Sequence, residues 1–100
     1  MDDKIKGSLE ANPGAEAYNI GDYVFVVQAP SEAQYDRFLD GSMKKPSAAI
    51  ANLVEAVTVH PDAKTRSAIF AKQPAIRSKV LEIAIDRAGA DVGVSKISGK

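Results

Sequence analysis

His60 is the only histidine in the chain, set between an apolar run and Pro61-Asp62, and it is the first side chain to weigh for acid–base chemistry. A histidine base needs an orienting carboxylate and a nucleophile within hydrogen-bond reach. Asp62 is the one local carboxylate and no nucleophile accompanies it, so His60 reads as a turn residue, solvated or bonded to backbone. One histidine and no cysteine cannot supply the three or four clustered ligands of a metal site. The carboxylates come close only at helical spacing, Asp36 with Asp40 around Arg37 and Glu82 with Asp86 beside Arg87. That is the spacing of surface charge rather than of two carboxyls facing a substrate. Like charges four apart cost a few tenths of a kcal/mol, and they can serve a docking surface.

No glycine-rich phosphate loop, GxSxG elbow or HExxH helix is present. The sequence thus predicts no catalytic, cofactor-binding or metal-binding residue, and a protein whose product is an interaction rather than a reaction. Lys44, Lys45, Lys64, Arg66, Lys72, Arg77 and Lys79 could form a basic patch. No aromatics interleave them and the chain is neutral overall, so a nucleic-acid-binding or regulatory module using residues 44–79 stands as the alternative class.

One hundred residues support one domain with a modest core. Aromatics make up 6% and Trp is absent, so that core must be aliphatic, with Phe25, Phe38 and Phe70 as its bulky pieces. The lack of cysteine fits a reducing compartment. The Met-Asp-Asp-Lys start has no apolar secretion region, and no apolar run approaches the roughly 18 residues of a membrane span. Charge is divided along the chain: residues 1–40 carry eight acids and three bases, residues 41–100 ten bases and five acids. An acidic front and a basic back favour head-to-tail contact between copies.

The elements that would position these groups follow from periodicity and punctuation. Residues 1–17, with Gly7, Pro13 and Gly14 and little apolar pattern, read as a flexible arm, and 90–100 as a flexible tail around a single helical domain at 18–89. Tyr23 to Gln28 reads as a strand covered on both faces. Its partner is Tyr18–Ile20 through a Gly21-Asp22 turn, Val57–Val59, or another subunit.

Four helices follow. Ser31 and Gln34 form a capping box for a helix near 32–40 that Gly41 stops in left-handed conformation. Ser47 caps a second near 47–57, with Ile50, Leu53, Val54 and Val57 on one face. Asp62 caps a third near 62–72, burying some of Ala63, Ala68, Ile69 and Phe70, and Pro74 opens a fourth at 74–88 that Gly89 ends. The fold class is mainly α, with about four short helices and one N-terminal strand or small hairpin.

This order of elements resembles the small tail assembly chaperones of long-tailed bacteriophages and prophages. The resemblance covers about 23–89 and rests on Ala29-Pro30-Ser31-Glu32 leading into Gln34-Tyr35-Asp36-Arg37-Phe38, then Leu53-Val54, Val59-His60-Pro61 and Gln73-Pro74-Ala75. The glycine- and asparagine-containing N-terminal arm departs from it. The resemblance implies a non-enzymatic adaptor in the bacterial host cytoplasm. Such a protein coats the helical tape measure protein, keeps it soluble and helps recruit tail tube subunits. Many members of that family are also made in a longer, frameshifted form.

Helix-in-groove recognition needs an apolar strip framed by charge. The fourth helix offers Ile76, Val80 and Ile83, framed by Arg77 and Lys79, as the expected partner-binding residues. The competing assignment puts all three apolar side chains in the core. A two-sided apolar helix, an under-paired strand and divided charge together predict a homo-oligomer.

Overall fold

The computed structural model describes residues 2–90 and 92–97. In chain order the elements are α1 (Asp3–Ala11), β1 (Glu16–Ile20), β2 (Tyr23–Val27), α2 (Glu32–Ser42), α3 (Pro46–Val57), β3 (Thr58–His60), α4 (Ala63–Lys72) and α5 (Ala75–Ile85), closed by a π-helical turn (Asp86–Ala90). Among the described residues the fold is mainly helical, with five α-helices and a three-stranded antiparallel sheet.

The five apolar residues of β2 need backbone partners on both edges, and the chain supplies both. A hairpin through Gly21, at φ 60°, sets Tyr18 opposite Phe25 and Ile20 opposite Tyr23. On the other edge Val26 faces His60 and Val27 faces Thr58, with an irregular step between. The Gln28 N–H continues the pairing to the Val57 carbonyl at 3.0 Å. Both of the intrachain pairings foreseen for β2 are thus made at once. No second subunit is needed to complete this strand, which removes one of the three reasons for expecting self-association.

Side chains alternate across a strand. Tyr18, Ile20, Tyr23, Phe25 and Val27 therefore share one face, where they join Leu53, Val54 and Val57 of α3, Ile69 and Phe70 of α4, and Ile76, Val80 and Ala84 of α5. The Phe25 and Phe70 rings stack with centroids 6.0 Å apart. Phe38 is only half-buried, so two of the three phenylalanines form the bulky centre. Val24 and Val26 point to the opposite face, which α1 crosses.

Helix α1 corrects the expectation of an arm at 1–17. Asp2 caps it, accepting from the Lys4 N–H at 2.7 Å, and the Asn12 side chain donates to the Ser8 carbonyl at 2.8 Å. None of its side chains is fully buried; Ile5 and Leu9, one turn apart, are half-buried. A nine-residue helix with Gly7 inside it is marginal alone. Docking against the sheet, which local periodicity does not encode, accounts for its presence. The domain begins well before residue 18. At the other end, residues 92–97 carry no regular structure, while Asp91 and residues 98–100 of the expected tail lie outside the described residues.

The four later helices fall near their expected spans, with two changes at the ends. The Ser31–Gln34 capping box is formed, with bonds of 3.1 and 2.9 Å, and Asp62 accepts from the Thr65 N–H at 2.8 Å. Gly41, however, is not a left-handed stop: α2 runs through it to Ser42. Ser47 is not the cap of α3, which starts one residue earlier because Pro46 has its φ already set and no N–H to satisfy. Gly89 does end the last helical segment, at φ 113°.

Arg66, expected on a basic surface, is 6% exposed. Its guanidinium donates to both carboxylate oxygens of Glu55 at 2.7 and 3.2 Å, and to the backbone carbonyls of Pro61 at 2.5 Å and Thr58 at 3.4 Å. One side chain thus ties α4 to α3, to β3 and to the turn that follows it. A planar fork with several donors suits this role, and lysine could not replace it.

Three stability outcomes follow for chemical denaturation. Val54→Ala and Phe70→Ala should each lose about 2–5 kcal/mol, as buried large-to-small changes, with His60→Ala far milder. Arg66→Ala should lose about 1–3 kcal/mol, because the buried carbonyls of Thr58 and Pro61 are left without their donor, while the half-exposed Glu55 carboxylate is resolvated by water. The hydrogen bonds from Arg66 hold the Glu55 carboxyl below its ordinary value against a smaller desolvation effect. Its contribution is therefore complete above the unfolded-state value near 4.5 and fades as pH falls through the lower folded-state one. Glu55→Gln should flatten that acid limb of the stability profile; an unchanged limb would assign it to other carboxylates.

Candidate functional site

The chemistry-bearing residues do not converge. Asp62 spends its carboxylate on the start of α4, and hydrogen bonding from Thr65 lowers its pKa. No hydrogen bond joins it to His60 among the described residues. His60 lines a broad cleft of about 820 Å³ between α1 and the sheet, together with Lys4, Ser8, Tyr23, Asp62 and Ile69. That cleft holds one imidazole with neither an orienting carboxylate bonded to it nor an activated nucleophile. Among the described residues no cluster of three or more His, Cys, Asp or Glu side chains forms a potential metal site.

The expected partner-binding residues are divided by the packing. Ile76 and Val80 lie in the core, at 7% and 0% exposure, so a partner could reach them only by opening the domain. The core assignment, left open by sequence, is therefore the one realised for these two. Arg77 is half-buried with its guanidinium 5.0 Å from the centre of the Phe70 ring, a cation–π contact that holds it to the domain. Ile83 is half-buried and Lys79 is exposed, its ammonium 3.7 Å from Glu82. These last two border a cleft with Asn19, Ile20 and Gly21 of the β1–β2 hairpin. With Arg66 and Arg77 engaged internally and Lys44 set 3.4 Å from Asp40, the 44–79 segment is not a continuous free cation stripe.

A groove that sequence reasoning did not single out lies between α2 and α3. Helix α2 has no fully buried residue and makes its extensive contacts with α3. The two helices approach closely because Gly41 has no Cβ: one built there would sit 3.1 Å from the Ala49 Cβ. Beside that contact the helices leave about 310 Å³ open. Phe38, Ala48, Leu53 and Ala56 give it an apolar lining, while Gln34, Asn52, Arg37, Lys44 and Lys45 supply polar and cationic groups. Small side chains on α3 opposite the Phe38 ring on α2 make an apolar channel with a polar and cationic border. The signal in the sequence is the alanine set 48, 49 and 56 on a helix that also carries Ile, Leu and Val.

No helix among the described residues is long and apolar enough to cross a membrane. The chain belongs to a family described as a domain of unknown function (DUF6848), which matches residues 4–96. A solved structure described as that of uncharacterised protein rbstp2171 from Bacillus stearothermophilus has a TM-score of 0.78 at 18% identity, covering 93% of this chain and 99% of that one. At that identity the likeness shows the fold alone. No curated protein matches the sequence.

Gly41→Val places a branched side chain against Ala49 at the closest point between α2 and α3. Stability should fall by about 1–3 kcal/mol through overpacking, and amides of α2 should exchange faster while those of β2 keep their protection relative to global unfolding. Unaltered exchange in α2 would show that this contact does not set the helix pair.

Proposed function

We propose that this member of the family is a non-enzymatic helical adaptor that seats an amphipathic helix of a larger protein between α2 and α3. The observation that carries this is the apolar α2–α3 groove with its cationic border of Arg37, Lys44 and Lys45. A partner helix with an apolar stripe flanked by acidic residues fits such a groove, since charge at the border steers the encounter and apolar burial holds the complex.

The resemblance to tail assembly chaperones makes that larger protein the tape measure protein of a bacteriophage tail, kept soluble until tail tube subunits arrive in the host cytoplasm. Gln34 and Phe38, two residues on which the resemblance rests, also line the groove. The proposed contact thereby moves from Ile76 and Val80 of α5 to α2 and α3. No catalytic residue or cofactor enters this account.

Co-expression with the tape measure protein tests it. The wild-type chain should raise the soluble fraction of that protein. Ala48→Glu and Ala56→Glu, both at exposed helix positions, should abolish the effect with an unchanged helical spectrum. Val80→Asp should instead unfold the chain, because Val80 is fully buried. A folded wild type that leaves the tape measure protein insoluble would refute the chaperone reading. Groove variants as active as wild type would refute the location.

A further inference from the structure

The sheet has the order β1-β2-β3, which leaves the outer side of β1 without a neighbouring strand among the described residues. Open edges of this kind accept an added strand. Beside the edge run two adjoining clefts of about 380 and 450 Å³, both bordered by Ile83 and Asp86. Tyr18 and Ile20 of β1 add apolar surface to them, and Glu82 and Lys79 line the far end.

A segment with matching properties stands elsewhere on the chain. Residues 92–97 read Val-Gly-Val-Ser-Lys-Ile and carry no regular secondary structure. Val92, Val94 and Ile97 are 69%, 97% and 90% exposed, an unusual concentration of bare aliphatic surface in so short a stretch. Val92 and Val94 have the two-residue period of a strand with one apolar face. The six residues match the five of Glu16–Ile20 in length. The single charge of the segment, Lys96, complements the clefts, where Asp86 has no ion-pair partner among the described residues while Glu82 and Glu16 are paired with Lys79 and Arg87.

We propose that residues 92–97 of one copy add as a fourth strand to the open edge of β1 in a second copy, with Val92 and Val94 directed toward Tyr18, Ile20 and Ile83. A second copy is the occupant because the tail starts close to its own β1 and nevertheless stays off it. The Arg87 guanidinium, just before the tail, donates to the Glu16 carboxylate at 2.6 Å and to the Gly14 carbonyl. The aliphatic surface that one copy leaves bare is covered when copies exchange tails. A head-to-tail exchange propagates into chains, and a reciprocal one closes as a dimer. None of the α2–α3 groove residues takes part, so this proposal and the adaptor reading stand or fall separately.

Sedimentation of the full chain from micromolar to millimolar concentration should show mass rising above that of a monomer. Val94→Asp should return it to monomer with an unchanged far-ultraviolet spectrum, while Ala48→Glu should associate as wild type does. A wild type that stays monomeric throughout, or a Val94→Asp variant that associates equally well, overturns the proposal. The chain has no cysteine, so cross-linking can be placed cleanly. Mixed under air oxidation, the single variants Asn19→Cys and Ser95→Cys, which alternation places on the same side of the sheet, should form a heterologous disulfide in severalfold excess over Met43→Cys with Ser95→Cys. Equal yields overturn the proposal.

Discussion

The rest of the structure follows from the need to enclose β2. Five consecutive apolar residues expose two faces and two rows of peptide groups, and a chain of this size has few ways to cover all four. Phe25, Val26 and Val27 reach zero exposure. The hairpin strand β1 satisfies one edge and the three residues of β3 the other, while α3, α4 and α5 cover one face and α1 the second. Placing β3 directly after α3 requires an abrupt change of direction, and the Arg66 fork holds it by fastening Glu55, Thr58 and Pro61 to α4. The buried arginine is thus part of the cost of feeding a third strand into a mostly helical chain.

Once that enclosure is complete, the remaining elements are free to do something else. Helix α2 buries no residue fully and rests on α3, and the segment after the π-helical turn, residues 92–97, is exposed throughout. The buried side chains are concentrated in β2 and in α3, α4 and α5, whereas open apolar surface lies on the α2–α3 pair, at the β1 edge and in residues 92–97. Segments with few buried contacts open at low free energy and are where binding is accommodated.

Much of this was legible in the sequence because it was local. The capping box at Ser31, the Asp62 cap, the Gly21 turn and the α3 stripe each need only a few neighbouring residues, and each is formed. What failed was non-local. Helix α1 has too weak a pattern to be read without the sheet it covers. Gly41 looks like a helix stop until Ala49 is seen against it. Arg66 reads as surface charge until Glu55, eleven residues away, is placed beside it. The same limit displaced the expected binding residues: a wide apolar band on α5 does not say which side chains turn into the core, and Ile76, Val80 and Ala84 proved to be the ones that do. Ile83 and Lys79, at the margin of that band, kept access to a cleft.

The central claim is that a partner's amphipathic helix lies between α2 and α3, and amide-resolved NMR during titration with a tape measure helix tests it most directly. The account predicts saturable shift changes at Gln34, Phe38, Ala48, Asn52 and Ala56, with the amides of Val80 and of the cleft around His60 left in place. Changes centred on His60 and α1, or none at saturating peptide, would contradict it.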